Sequence, residues 1–236
     1  MASTTGKTIF LFDVDNTLLD NDRVIADLGK YLKREVGPER ARCYWTIFER
    51  LRTHLGYADY LGALQRFRAE YPHDVGLLAV SHFLINYPFA NRLFPSSLDV
   101  LEYVRQWGTP VLLTDGDVVF QPRKIEHAGL SEAVGGRVLI YIHKEEALDD
   151  VERRYPAEHY VLVDDKPRIL AATKLFWGER VTTVFVRQGS YAHDAKEAGA
   201  FPPADVTIDR IAALLDYDLS DCARLPARLQ PRFKVM

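Results

Sequence analysis

Cysteine is scarce in this 236-residue chain: Cys43 and Cys222 are the only two, they stand far apart, and neither belongs to a CxxC pair. That scarcity argues against a zinc site or a disulfide framework and fits a reducing, cytoplasmic setting. Charge of one sign is missing too. With 30 Lys+Arg against 33 Asp+Glu the net charge is -3, which gives no strong pull toward polyanions, so neither nucleic acid nor membrane is expected as a partner. No run approaches the roughly 18 apolar residues of a membrane span. The opening "MASTTGKTIFLF" has no basic region leading into a long apolar stretch and a cleavage site, so a soluble, unexported protein is expected. Internal repeats and low-complexity segments are absent as well. What remains is 47% hydrophobic, enough for one large domain or for a domain with an insertion.

Six short segments read as strands: "TIFLFD" at 8 to 13, "PVLLTD" at 110 to 115, "RVLIYI" at 137 to 142, "HYVLVDD" at 159 to 165, "VTTVFV" at 181 to 186 and the weaker "DVTID" at 205 to 209. Most are apolar at both alternating positions, which implies burial on both faces and therefore parallel strands covered by helices. Helical patterns fall between them. In "SSLDVLEYVRQWG", Leu98, Leu101 and Val104 share a face, with Ser97 as a candidate cap and Gly108 as a stop. Weaker periods run from Gln121 to Ala128 and from Arg168 to Phe176. The alternation predicts an α/β doubly wound, Rossmann-like parallel sheet. From about Asn21 to Phe94 the alternation stops and only helix-like periods appear, among them Val24, Leu28 and Leu32. This stretch is expected to be an all-helical insertion, which divides the chain into a core at 1–20 and 95–236 and a helical domain at 21–94. The last residues, from Asp216 to Met236, are expected to form a packed or frayed terminus.

Polar residues recur just after the apolar strands. "FLFDVDNTLLDND" places Asp13 and Asp15 at i and i+2, where they can share a direction at a strand end. An N-cap followed by solvated turn acids would account for this pair taken alone. Yet "VLLT" ends in Thr114, Lys144 follows "VLIYIH", and "YVLV" runs into Asp164 and Asp165. In a doubly wound sheet these strand ends lie along one edge, where ligands bind. A set of carboxylates with a backbone carbonyl suits a hard divalent cation, Mg2+ above all, whereas zinc lacks Cys or His in place. Beside such an ion Asp13 is a competent nucleophile toward phosphorus. Asp15 can exchange protons with the leaving alcohol and with water. Thr114 can hold a phosphate oxygen, Lys144 can neutralise charge, and Asp165, helped by Asp164, can complete the metal site.

At these residues the chain resembles the haloacid dehalogenase (HAD) superfamily. "DVDNT" at 13 to 17 is similar to the family's DxDxT first motif, "VLLT" at 111 to 114 to the second, Lys144 to the third-motif lysine and "VLVDD" at 161 to 165 to the acidic fourth. The resemblance runs from residue 8 to about 210. It implies Asp13 as nucleophile, Asp15 as acid and base, and Asp13, the Asp15 carbonyl and Asp165 as Mg2+ ligands. It also implies that the helical insertion is a C1-type cap that helps to choose the substrate. Lys124 and Lys166 compete for the third-motif role, but only Lys144 directly follows a strand. In "TDGD", Asp115 and Gly116 offer either a turn or amides that hold phosphate. Family dehalogenases do without the second acid, since a halide needs no proton, so Asp15 points to phosphate chemistry.

The resulting expectation is a Mg2+-dependent phosphohydrolase, monomer or homodimer, that acts on a small phosphorylated metabolite through an aspartyl-phosphate. A phosphomutase acting on a sugar phosphate is the alternative, and a non-catalytic binding protein that keeps the fold is a third reading. "TGKT" at 5 to 8 resembles the end of a nucleotide-binding P-loop, but the upstream glycine is missing and the segment precedes a strand. In the insertion, Arg50, Arg52, His54, Arg66 and Arg68 could reach an anionic substrate or could simply form solvated faces. Tyr44, Trp45 and Tyr57 read as core.

Overall fold

The computed structural model describes residues 8–190, 192 and 199–219; most of the C-terminal segment and of "TGKT" falls outside them. Six strands, β1 (Thr8–Phe12), β2 (Thr109–Asp115), β3 (Val138–Tyr141), β4 (His159–Asp164), β5 (Val181–Val186) and β6 (Val206–Ile208), form one sheet in the order β3-β2-β1-β4-β5-β6. Every neighbouring pair is parallel. The order reverses direction at β1, so the strands that end in polar residues are gathered at the middle of one edge.

The apolar strands serve two faces because their side chains alternate. Phe10 and Phe12 of β1, Leu112 of β2, and Val161 and Val163 of β4 belong to one buried cluster. Ile9 and Leu11, Val111 and Leu113, and Tyr160 and Leu162 belong to a second, where helices α8 (Leu148–Arg154) and α9 (Pro167–Trp177) add Val151, Ile169 and Leu170. On this second face Tyr160 stacks on Trp177 with centroids 4.1 Å apart.

Four helices follow β1: α1 (Asn21–Glu35), α2 (Pro38–Leu55), α3 (Tyr60–Glu70) and α4 (Gly76–Asn86). Local chemistry sets their ends. Asp20 caps α1 by accepting from the Arg23 amide at 3.0 Å, Pro38 opens α2, and Asp59 caps α3 by accepting from the Gly62 amide at 2.6 Å. Gly56 ends α2 in the left-handed region at φ 80°. It lies against His143 so closely that a Cβ there would stand 2.3 Å from the imidazole Cε1 and the ring would have to move, but it is the left-handed conformation that favours glycine. The apolar faces of these helices join the first cluster instead of forming one of their own. Tyr44, Phe48 and Tyr60 are buried with Phe10 and Phe12, and Tyr60 and Phe89 both pack on Phe120 at the start of α6 (Phe120–His127), with centroids 5.2 and 5.7 Å away.

Helix α5 (Ser97–Val104) departs from the sequence expectation at its start. Ser97 is not the cap: its hydroxyl is buried and donates to the Leu18 carbonyl at 2.8 Å, while Ser96 holds the N-cap position with φ 65°. Leu98 is 41% exposed, and Val100, Leu101 and Val104 make the inward face. The tertiary contact with the turn after β1 outweighs a local cap here. A short helix α7 (Leu130–Ala133) leads into β3. Among the described residues no helix is long and apolar enough to cross a membrane.

Candidate active site

The strand ends bring Asp13, Thr114, Lys144, Asp164 and Asp165 together, all of them buried. Asp13 follows β1 and keeps its position because its amide donates to the Val163 carbonyl at 3.0 Å, one residue before Asp164. The chain then leaves the sheet through Asn16, whose φ is 61°. Asparagine tolerates that region, and its side-chain oxygen accepts from the amides of Asn21 and Asp22 at 3.0 and 3.2 Å. The turn that carries Asp15 is thereby tied to the first turn of α1.

Lys144 is the hub. Its ammonium lies 2.6 Å from Asp13 Oδ1 and 2.6 Å from Asp164 Oδ2, and it donates at 3.3 Å to the Leu113 carbonyl. Burial opposes its charge, but Asp13, Asp164 and Asp115 more than offset this and hold its pKa above the ordinary lysine value. The Lys144 amide also donates to Asp115 Oδ1 at 2.8 Å. One carboxylate oxygen of Asp13, one of Asp164 and one of Asp165 lie within 4.8 Å of one another. Asp13 Oδ2 and both oxygens of Asp165 are buried without a hydrogen-bond partner. Burial first, then the charges of Asp13 and Asp164, push the Asp165 carboxyl well above the ordinary range. Three crowded acids with orphaned oxygens are costly to bury, and a hard divalent cation is the group that such a donor set fits. Lys166, next in the chain, is drawn toward the same acids: burial opposes its charge, but Asp13 leads the neighbours that raise its pKa.

Asp15 occupies a different position. Its side chain is 27% exposed, and both its oxygens accept from Lys124 Nζ, at 2.7 and 2.8 Å. Lys124 also donates to Asn21 Oδ1 at 3.1 Å. Asp15 therefore offers no side-chain oxygen to the buried trio; of its atoms only the carbonyl proposed from the family resemblance remains as a candidate ligand. On α6, one turn before Lys124, Gln121 donates to Thr114 Oγ1 at 3.0 Å. The same hydroxyl donates to the Asp115 carbonyl over a long 3.3 Å, so Gln121 and that carbonyl together fix its orientation.

Two expectations need correction or extension. The Gly116 amide is not open to phosphate, since it donates to the Tyr141 carbonyl at 3.0 Å, continuing the β2–β3 ladder past Asp115. A Cβ at Gly116 would instead stand 2.7 Å from that of Gln121, so glycine admits Gln121 to Thr114. Gln121 is not among the site residues the sequence suggests, and Lys124, which competes there with Lys144, serves Asp15 instead. Their i, i+3 spacing on α6 was the only available signal.

A cavity of about 510 Å³ opens beside these groups, lined by Asp15, Lys124, Asp115, Gly116 and Lys166 on one side and by residues of α1, α2 and the α2–α3 loop on the other. Of the basic candidates in the insertion, Arg52 lines it. Arg50 and His54 face a separate open depression on the outer side of α2, and Arg66 and Arg68 are exposed on α3.

A family model of haloacid dehalogenase-like hydrolases matches residues 7–174. A haloacid dehalogenase-like hydrolase from Burkholderia xenovorans is 60% identical over 90% of this chain and 99% of its own, with a TM-score of 0.86. A HAD hydrolase from Bacillus subtilis, solved bound to magnesium, is 16% identical over 88% of this chain and 96% of its own, at a TM-score of 0.56. An L-2-haloacid dehalogenase from Xanthobacter autotrophicus with chloropropionic acid covalently bound is 17% identical over 95% of this chain and 100% of its own, at 0.54. The last two likenesses are of fold alone. No curated protein matches the sequence.

Proposed function

Because the chain belongs to the haloacid dehalogenase-like hydrolases, we propose that it is a Mg2+-dependent phosphohydrolase of the cytoplasm, acting on a small phosphorylated metabolite, with residues 21–94 as its cap. The observation that carries this reading is the buried trio of Asp13, Asp164 and Asp165 with its orphaned oxygens, next to a second, accessible acid, Asp15. Three acids crowded at one point disfavour the approach of a phosphate unless a cation lies between them. Asp13 and Asp165, with Asp164 and the Asp15 carbonyl, are the residues to hold Mg2+, which when bound draws phosphate oxygens to this point and withdraws charge from phosphorus.

Asp13, held by Lys144, attacks phosphorus, and the bond from phosphorus to the alcohol oxygen breaks. Asp15 gives the leaving oxygen its proton. In the second step Asp15 takes a proton from water as that water attacks phosphorus, and the bond to Asp13 breaks to release inorganic phosphate. Thr114 donates to a phosphate oxygen, with Gln121 orienting its hydroxyl. Lys144 offsets the charge that gathers on Asp13 and the phosphoryl group. Asp15 also favours phosphate over a halogenated acid, because a departing halide needs no proton.

An aryl phosphate assayed with and without Mg2+, in wild type and Asp13→Asn, tests this. Turnover that needs the metal and vanishes in the variant is expected. Absence of metal-dependent turnover across a broad panel of phosphate esters, or release of halide from 2-chloropropionate instead, overturns it.

A further inference from the structure

We propose that the phosphate ester accepted at this site carries an uncharged, ring-bearing alcohol, a cyclic sugar or a nucleoside, and not a short carboxylated one. The inference rests on the phosphohydrolase reading and adds the class of leaving group. It follows from the size, the charge and the wall of one cavity.

The cavity measures about 510 Å³, within the range of about 300–1,000 Å³ that encloses ligands of several rings or substituents. A two- or three-carbon phosphate would leave much of it filled with water. Five aromatic residues contribute to its lining. Trp45, Phe48, Tyr57 and Tyr60 come from α2, α3 and the loop between them, and Phe120 comes from α6. Phe48, Tyr60 and Phe120 are almost fully buried and pack on one another in series, with centroids 4.7 and 5.2 Å apart, so they form a rigid backing. Trp45 meets Phe48 edge-on at 5.4 Å, and both it and Tyr57 remain partly exposed. Such rings offer flat apolar faces to the face of a sugar or a base.

The cations of the cavity are matched already. Lys124 is held by both oxygens of Asp15, Arg168 pairs with Glu145, and Arg52 lies 3.6 Å from Glu49. A carboxylate on the alcohol would meet cations whose charge is already offset by Asp15, Glu145 and Glu49, and would add a further negative charge beside those acids. Uncharged donors and acceptors carry no such penalty. Tyr57 is one: it lines the cavity, is partly exposed, and its phenol is protonated at neutral pH and can donate.

Two measurements decide the matter. The first compares kcat/KM for a nucleoside 5′-monophosphate, a hexose 6-phosphate, 2-phosphoglycolate and O-phosphoserine in wild type, Trp45→Leu and Tyr57→Phe. The expected result is at least a 10-fold preference for one or both ring-bearing esters, with Trp45→Leu lowering that preference about 10-fold through KM while the short esters are unaffected. Equal or better turnover of the short carboxylated esters, or a uniform loss in Trp45→Leu, overturns the inference and leaves the phosphohydrolase reading intact. The second measures quenching of tryptophan fluorescence by the free nucleoside, with Trp45→Phe as control. If no phosphate ester is turned over, quenching that requires Trp45 still upholds the ring-binding cavity while the phosphohydrolase reading fails; no quenching then overturns both.

Discussion

The two ends of β4 carry polar residues for opposite reasons. At its start, buried His159 lies 2.9 Å from Thr182 Oγ1 on the neighbouring strand, and the pair satisfies itself. At its end, Asp164 leans on Lys144 and Asp165 has no hydrogen-bond partner for either oxygen. The pattern extends across the sheet. Among the described residues, every buried side-chain oxygen without a hydrogen bond belongs to Asp13, Thr17, Glu145, Asp164 or Asp165, all of which follow or end a strand at the same edge. Asp164 Oδ2 is in that group although it sits 2.6 Å from Lys144 Nζ; it is ion-paired without the geometry of a hydrogen bond. Buried polar groups normally find partners. An edge where they do not is an edge built for something to arrive.

Four experiments bear on that contrast. The largest effect is expected from Lys144→Met, which leaves Asp13 and Asp164 facing each other without their shared cation. Removing one partner of a buried ion pair costs about 3–5 kcal/mol, so denaturant unfolding should show a loss of this order. A loss below about 1 kcal/mol would mean that the strand-end acids are not truly buried as charges. Asp165→Asn should act in the opposite direction on stability. It removes a buried carboxyl whose ionisation burial and its acidic neighbours oppose and whose oxygens have no hydrogen bond, so the metal-free protein should melt higher, by about 2–4 °C for each kcal/mol gained. Its metal-dependent activity should fall by more than the roughly 10–100-fold seen when outer-shell partners of a metal are removed. An unchanged or lower melting point would place Asp165 among ordinary structural acids.

A smaller effect is expected along α6. If Gln121 acts through Thr114, the kcat/KM of Gln121→Leu/Thr114→Ala should equal that of Thr114→Ala alone, with a coupling of about 0.5–3 kcal/mol. Additive losses would show that Gln121 supports only the packing. The smallest effect belongs to the other end of the sheet. Burial, followed by the nearby Lys174 charge, lowers the pKa of His159 in the folded state. Below its unfolded value of about 6.5 the unfolded chain binds the proton more readily, so stability falls as the pH drops from neutrality through that range. His159→Gln should flatten the fall between about pH 7 and pH 5. An identical slope in the variant would assign the acid sensitivity elsewhere.

Much of the acid edge was legible because position at a strand end is a local property of the sequence. Asp13, Thr114, Lys144, Asp164 and Asp165 each close an apolar run, and parallel strands place such closures side by side. The positioning residues were not legible in this way. Lys124 meets Asp15 across 109 positions of chain, and neither residue's surroundings announce the other. Gln121 is only seven positions from Thr114, yet a loop intervenes that no periodicity describes. The Gly116 amide was misread because a local turn pattern cannot show that the strand ladder goes one residue further. Ser97 was misread because a hydroxyl suited to a cap is equally suited to a carbonyl 79 residues away.

The sequence by itself determined the parallel sheet, the helical insertion and the acids at one edge, because apolar alternation and strand punctuation act over a few residues. Only the tertiary structure decided which lysine serves which acid, which amides are already engaged, and that aromatic residues of the insertion wall the cavity beside Asp15. Those outcomes depend on side chains from distant segments competing for the same few ångströms, and no local pattern records who wins.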